Sequence, residues 1–347
     1  MDQVQVGIIG LGGIATRMHI PVLQALPGVS IVAGAEINSQ QAERTQRRFN
    51  IPRVYDTYWR MFDEEELDAV YVCLPNALHI EAARCALEHD THVFCEKPLG
   101  LSATAAAQLA ELADRRGLIL MPGYNLRYVS NYARAQALIQ AKRLGKVLQI
   151  QATMARPGPY TGWDPKSDWY YDAENCGVLY DQGSHALDLI RFIGGLDVID
   201  LAPTATTSLP GLDVPDSIAA TFRTTGVAVG TLNLTWGACA NLDMVMVHGT
   251  AGTLIASWNY FEHMKSIGGG VAKMATYAAN AAVIVRRVTR SLLRQPDRTD
   301  PYQLIAQDFI AAVRTGGPAP ITAWDGVRVL EALNAAAVAL RPQKVVA

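Results

Sequence analysis

The sequence carries almost no net charge: 30 Lys and Arg stand against 32 Asp and Glu, leaving −2. A chain so balanced gives no global sign of nucleic-acid affinity, and a soluble enzyme is the default expectation. Cysteine is sparse too: the five residues Cys73, Cys85, Cys95, Cys176 and Cys239 form no C-x-x-C pair. An odd, scattered set of this kind argues against structural zinc, so no metal is expected, and suggests reduced thiols in the cytoplasm. Long apolar runs are missing. The longest uncharged stretch, Thr224 to Leu242, is rich in Thr, Asn and Gly and lacks the apolarity of a spanning helix. The first apolar run has Asp2 at its start and glycines inside it, so it reads as a strand and not a signal peptide.

With half of its residues hydrophobic, the chain is long enough for two packed domains. The organising stretch is its opening, where Val4 to Ile9 empties into Gly10-Leu11-Gly12-Gly13-Ile14-Ala15. This is the G-x-G-x-x-G/A spacing between a strand and a helix. Gly10 would make the turn and Gly12 would let the backbone approach a pyrophosphate. Gly13 and Ile14 would open a helix whose free N–H groups hold phosphates, and Ala15 would keep that helix close to the strand. A second β-like run, Val29 to Ala35, ends in Glu36, which lies 21 residues past Ala15. That is near the spacing at which an acid binds the adenosine ribose. Glu36 favours NAD by bonding ribose hydroxyls and repelling a 2′-phosphate. NADP stays open, because Arg44 or Arg47 could swing toward a phosphate.

The first third alternates strand and helix, which predicts a Rossmann-type doubly wound parallel sheet over residues 1–123. Its elements are a helix Ile14 to Leu26, a helix capped by Ser39 and running to Phe49, a strand Ala69 to Leu74, and a helix after Pro75-Asn76 through His89. A strand His92 to Cys95, a helix capped by Ser102 through Arg116 and a strand Leu118 to Met121 complete the half. Residues 124–347 change rhythm. Helices are expected at Val129 to Arg143, Leu179 to Ile193, Pro301 to Val313 and Asp325 to Leu340, the last able to pack back on the first domain. Strands are expected at Val147 to Met154, Ser217 to Phe222, Val227 to Leu234, Met244 to His248 and Thr253 to Ser257. Consecutive strands without helices between them predict an α+β domain with a large, mainly antiparallel open sheet.

Two constellations carry chemistry. Cys95-Glu96-Lys97-Pro98 sits where a parallel strand ends, the edge at which α/β sheets bind ligands, so the Lys97 ammonium can polarise a hydroxyl or carbonyl at the nicotinamide end of a dinucleotide. Gly177, Asp181 and His185 recur at intervals of four, with Asp188 three later, placing all four on one helix face. A histidine one turn from a carboxylate can act as general base toward an alcohol.

Gly10 to Ala15, Leu74-Pro75-Asn76 with His79, Glu96-Lys97-Pro98 and Asp181 with His185 together resemble the glucose-fructose oxidoreductase, inositol dehydrogenase and rhizopine-catabolism (Gfo/Idh/MocA) family, from the first strand to the final helix. The resemblance implies an NAD(P)-dependent oxidoreductase acting on a secondary hydroxyl of a sugar, sugar derivative, nucleotide-linked sugar or cyclitol. Lys97, Asp181 and His185 would be its catalytic trio. It implies that Leu74 and Asn76, with His79, line the dinucleotide and that Glu96 and Lys97 reach its nicotinamide ribose. Tyr124-Asn125-Leu126-Arg127 resembles the family's crossing into domain two, and Trp169 its aromatic residue near the substrate. Tyr124, Arg127 and Trp169 therefore join Lys97, Asp181 and His185 as substrate-site candidates, with the 156–175 loop. The resemblance also implies homodimers or homotetramers through the open sheet, where Val227 and Val229 alternate outward.

Two departures from the family pattern stand out: Cys176-Gly177 replaces an expected glycine pair, and the stretch 266–298 is longer than usual. The latter reads as a basic amphipathic helix. It is a packed or interfacial element in the plainest reading, and a contact for acidic lipid headgroups or a nucleotide diphosphate in sharper ones. Two other functions stay open. One is a tightly bound NAD used in a transient redox cycle for glycoside elimination, hydrolysis or epimerisation. The other is a non-catalytic dinucleotide-sensing regulator.

Overall fold

The computed structural model describes residues 3–158, 177–265 and 300–340, together with Val285. Trp169, Cys176, most of the 156–175 loop and all of the basic stretch 266–298 except Val285 lie outside the described residues. The first sheet is built from β1 (Val4–Ile9), β2 (Val29–Ala35), β3 (Arg53–Tyr55), β4 (Ala69–Val72), β5 (His92–Cys95) and β6 (Leu120–Pro122). All pairings are parallel, and the order is β3-β2-β1-β4-β5-β6. That is the doubly wound order, with β1 and β4 flanking the point where the winding reverses. β4 is buried at every position, because helices cover both faces of such a sheet.

The helices follow local signals, with corrections. The helix expected at Ile14 to Leu26 is split into a π turn, Ala15–His19, and α1, Ile20–Ala25. Pro21 has no N–H for the carbonyl of Arg17, and the turn before it widens so that Ile20 N–H donates to Ala15 O, five residues back. α2 (Ser39–Phe49) is capped by Asn38, not Ser39: the Asn38 side chain accepts from Gln41 N–H. α3 (Tyr58–Glu64) and α4 (His79–Glu88) follow. α5 (Ala103–Arg116) is capped by Ser102, whose hydroxyl accepts from Ala105 N–H. β3 and α3 had no counterpart among the expected elements, both being short pieces in a polar stretch.

The second half contains α6 (Ser130–Gln140), β7 (Val147–Pro157), α7 (Gly177–Gly194), β8 (Val198–Thr206), β9 (Ser217–Thr224), β10 (Val229–Thr235), β11 (Gly237–Gly249), β12 (Gly252–Ser257), β13 (Phe261–Lys265), α8 (Pro301–Thr315) and α9 (Ala323–Leu340). Its seven strands are ordered β13-β12-β11-β7-β10-β9-β8. Every neighbouring pair is antiparallel except β7 with β10. β9 alternates buried and exposed residues along its length. One face of the sheet therefore meets a core and the other is open. α7 packs on β7 and β10, and α9 packs on α5 and β8. The contact with α5 is specific: the Asn334 amide accepts from Ala103 N–H at 2.8 Å and donates to Leu101 O at 2.8 Å. Through these helices the two sheets share one continuous apolar core.

Candidate active site

At the glycine turn, Gly10 has φ +85°, and a Cβ there would lie 2.5 Å from Cys73 O, so only glycine allows this turn against β4. Gly12 is different: a Cβ there would meet nothing within 4 Å. No packing among the described residues demands glycine at 12, and the open space fits the close approach of a dinucleotide pyrophosphate to the backbone. Gly13 and Ile14 lead into the π turn. Glu36, at the end of β2, accepts from Leu11 N–H at 2.9 Å and from Asn38 N–H at 2.9 Å. Its carboxylate thus lies beside the glycine turn, at the edge where the ribose of a dinucleotide would come. Leu74 and Asn76 follow β4 at the same edge, with Asn76 buried at the start of a short turn. Arg47 is paired with Glu43 on the outer surface of α2.

His79 is buried, and its ring nitrogens lie 2.7 Å from Pro98 O and 2.7 Å from Leu74 O. It sits between the loops after β4 and β5, each ring nitrogen facing a backbone carbonyl of one of them. Glu96 is also turned inward. Its Oε1 lies 2.6 Å from His19 Nε2, and its Oε2 accepts from Lys97 N–H at 3.1 Å. The carboxylate expected at a nicotinamide ribose makes these two contacts within the protein.

Lys97 leaves the end of β5 and crosses to α7. Its Nζ donates to Asp181 Oδ1 at 2.9 Å and to Asp181 O at 3.1 Å. The other carboxylate oxygen, Oδ2, accepts from Gln182 Nε2 at 2.8 Å and from Trp236 Nε1 at 3.2 Å. Burial alone would raise the Asp181 acid, but Lys97 first, then Arg156 and His185, hold it well below the ordinary carboxylate range. Asp181 is a fixed anion. His185, one turn on, is buried by its surroundings, and its Nδ1 has no partner among the described residues. Burial, then Lys97 and Arg156, push its imidazole well below its ordinary pKa, with Asp181 opposing. A neutral imidazole beside an ammonium and a permanent carboxylate is equipped to accept a proton from a hydroxyl that the ammonium polarises.

Arg156, near the end of β7, donates through Nη2 to Asp243 Oδ2 at 2.7 Å. Arg156, Trp236 and Gln182 all bear on the trio, and the sequence reading assigned none of them a role, although Arg156 marked the start of the selecting loop. Trp236 lies 55 residues from Asp181, and nothing local signals the pairing.

Arg127 and Tyr124 do not join this centre. The Arg127 guanidinium donates to both oxygens of the buried Asp188, at 2.5 Å to Oδ1 and 3.0 Å to Oδ2, and its Nη2 is 3.3 Å from Asp325. Tyr124 is fully buried beside it, its hydroxyl without a partner among the described residues. Arg191 completes the cluster, 2.7 Å from Asp197 and 3.2 Å from Asp325. These residues tie the short helical turn Asn125–Tyr128, α7 and α9 together. Among the described residues no group of three or more His, Cys, Asp or Glu side chains is arranged to hold a metal ion, and no helix is long and apolar enough to cross a membrane.

Comparison with known proteins gives a consistent picture. Residues 4–124 match the oxidoreductase family with an NAD-binding Rossmann fold, and residues 132–255 match the GFO/IDH/MocA C-terminal domain. An uncharacterized oxidoreductase of Rhizobium meliloti is 29% identical over 349 residues, covering 96% of each chain. D-xylose 1-dehydrogenase (NADP(+)) 2 of Haloferax volcanii is 28% identical over 340 residues, covering 95% of each chain. Among solved structures, levoglucosan dehydrogenase in complex with NADH and levoglucosan has a TM-score of 0.79 at 19% identity, covering 97% of each chain. The WlbA dehydrogenase from Bordetella pertussis, in complex with NADH and UDP-GlcNAcA, has a TM-score of 0.83 at 18% identity, covering 98% of this chain and 96% of that one. At such identities the structural likeness carries the fold alone.

Proposed function

This chain belongs to the Gfo/Idh/MocA family of oxidoreductases, and from that membership we propose that it moves a hydride between a secondary hydroxyl of a sugar, sugar derivative or cyclitol and nicotinamide. The observation that carries the proposal is the meeting of Lys97 Nζ and Asp181 Oδ1 at 2.9 Å, with His185 one helical turn away. In this reading Lys97 orients the reacting hydroxyl and stabilises charge on its oxygen. Asp181 holds the ammonium in place, and neutral His185 takes the hydroxyl proton. A bound nicotinamide supplies the hydride acceptor. Gly10, Gly12, Gly13 and Ile14 are the residues that would hold its pyrophosphate, and Glu36 its adenosine ribose. Leu74 and Asn76 would line it.

NAD is the preferred dinucleotide in this account. The support is the position of the Glu36 carboxylate against Leu11 N–H, where a 2′-phosphate would meet a negative charge. One relative is named for NADP(+), so family membership alone does not fix the dinucleotide. The substrate class is supported by relatives that span D-xylose 1-dehydrogenase, myo-inositol 2-dehydrogenase and glucose-6-phosphate 3-dehydrogenase.

We also infer a homo-oligomer working in the cytoplasm. The support for association is the face of the seven-stranded sheet that no described helix covers. Gln151, Thr231, Thr221, Met244 and Met246 lie there in register, with Val229 about half exposed. The middle of this face is neutral, with Arg223, Asp200 and Glu262 toward its margins, and a wide face of this kind is commonly buried by a second copy. The support for the compartment is that Cys73, Cys85 and Cys95 are buried, unpaired thiols.

The test of function is net reduction of NAD, followed by absorbance, with D-xylose, myo-inositol, glucose 6-phosphate and a UDP-sugar offered in turn. Reduction with one of them supports the reading. Silence with a dinucleotide already bound would favour an internal redox cycle, and binding without any chemistry would favour a sensor.

A further inference from the structure

A second buried pair stands behind the reacting centre. His19 ends the π turn of the first helix and is 1% exposed, and its Nε2 lies 2.6 Å from Glu96 Oε1. The widened turn belongs to a class of helix defect often found at functional sites, and here it delivers His19 to the sheet. Tyr71, Phe94 and Tyr302 enclose the imidazole, with ring centroids 5.2, 5.3 and 5.6 Å away. Glu96 is closed in from the other side as well, since a Cβ on Gly123 would lie 3.4 Å from Glu96 Oε2. That same oxygen accepts from Lys97 N–H.

We propose that His19 is a positioning residue for Lys97: by holding Glu96 in one rotamer it fixes the backbone from which the Lys97 side chain crosses to Asp181. A lysine ammonium rides on a flexible four-carbon stem, so its placement depends on how firmly the stem is rooted. Glu96 is the root, and His19 is the side chain that locks it. Burial works against the Glu96 carboxylate, while its contacts with His19 and Lys97 keep it ionised. A displacement of about 1 Å at a reacting group costs on the order of a hundredfold in rate, so a loose Glu96 would be felt at the ammonium. The role in catalysis rests on the reading of Lys97 as part of the reacting centre; the positioning of Lys97 does not.

The test compares two substitutions in the full chain. His19→Gln keeps an N–H donor for Glu96 but loses the ring, and His19→Phe keeps an aromatic ring among Tyr71, Phe94 and Tyr302 but loses the donor. Lys97 placement is read without substrate, as the rate at which acetic anhydride acetylates Lys97, measured by mass spectrometry of its peptide. Turnover is read separately as kcat, KM for NAD and the primary deuterium isotope effect. Positioning predicts that His19→Phe raises Lys97 labelling several-fold. It also predicts that kcat falls on the order of tenfold to a hundredfold, with KM for NAD little changed and a larger isotope effect. His19→Gln should stay within a few-fold of wild type in every readout. A purely packing role predicts the reverse order, with His19→Gln the worse variant, and that result would overturn the proposal. So would equal impairment of both, or Lys97 labelling that does not move in His19→Phe. If His19→Phe does not fold, His19→Leu takes its place in the same comparison. Lys97→Ala assayed alongside separates the two claims: retained turnover would end the catalytic reading of Lys97, while the labelling series would still decide what His19 does.

Discussion

Lys97 Nζ bridges two carbonyl-type acceptors of one residue, Oδ1 of Asp181 at 2.9 Å and its backbone O at 3.1 Å, although 84 positions separate the two in the chain. The contact joins the carboxyl edge of the parallel sheet to a helix of the second half. If this ammonium orients the reacting hydroxyl, Lys97→Ala lowers kcat by about a thousandfold or more while the dinucleotide dissociation constant stays within a few-fold. Steady-state kinetics and dinucleotide binding by fluorescence read the two quantities separately. Near-normal turnover would remove Lys97 from the mechanism.

The pH dependence follows from His185. Burial first, then Lys97 and Arg156, hold the folded imidazole well below its ordinary pKa. The unfolded chain takes up this proton as pH falls through about 6.5, and the folded chain does not. Stability is therefore full above that pH and declines below it, by up to about 1.4 kcal/mol per pH unit for each such histidine. His79 and His92, also held down by burial, add to the decline. Urea unfolding at about pH 7.5 and about pH 5.5 measures it, and His185→Asn should flatten the slope. The same depression keeps His185 neutral as a base, so kcat/KM should stay level through about pH 6.5 and fall only in more acidic solution. A break at ordinary imidazole pKa would contradict the assignment.

Arg127 is predicted to matter for stability and little for turnover. It is the bidentate partner of Asp188, which is 1% exposed. Arg127→Met leaves that carboxylate buried without its cation and should cost about 3–5 kcal/mol in denaturant unfolding. The folded fraction should keep its KM for substrate, in line with a residue paired to Asp188 and Asp325.

Glu36 is predicted to set dinucleotide choice. Glu36→Ser removes the negative charge beside the glycine turn and should shift the ratio of kcat/KM for NAD over NADP by about tenfold or more toward NADP. An unchanged ratio would show that the carboxylate serves only Leu11 and Asn38 N–H.

The open sheet face is tested by charge. Thr231 lies between Gln151 and Thr221 in register near the middle of that face. Thr231→Arg on an interface would place unpaired charge where apolar and neutral groups meet, and sedimentation should show smaller particles than wild type. Unaltered size would move association elsewhere or exclude it.

Features that depend on short spacings were readable from the residues. Gly10 and Gly12 before a helix, Glu36 at the end of β2, Ser102 before α5, and Asp181 and His185 one turn apart are all local patterns. The parallel, doubly wound character of the first sheet follows from its alternation, and the strand order itself comes from the fold. What stayed hidden depends on partners far along the chain. His19 finds Glu96 77 positions away, and Arg127 finds Asp188 61 away, so neither the clamp nor the ion cluster leaves a local trace. Arg127 and Tyr124 were assigned to a substrate through resemblance, and the fold spends them on the junction between its halves. Asn38 displaced Ser39 as a cap because two adjacent residues compete for one role and only backbone geometry decides. β8 and β13 escaped notice because edge strands carry weak alternation, and the parallel pairing of β7 with β10 cannot be seen in either strand alone.

The central claim is hydride transfer from a carbon of the substrate to nicotinamide. The most direct measurement offers perdeuterated myo-inositol or glucose with NAD to the wild-type protein and weighs the recovered dinucleotide by mass spectrometry. The account predicts reduced nicotinamide carrying one deuterium, and its loss in Lys97→Ala. Dinucleotide that binds but is recovered oxidised and unlabelled, with every such substrate, would contradict it.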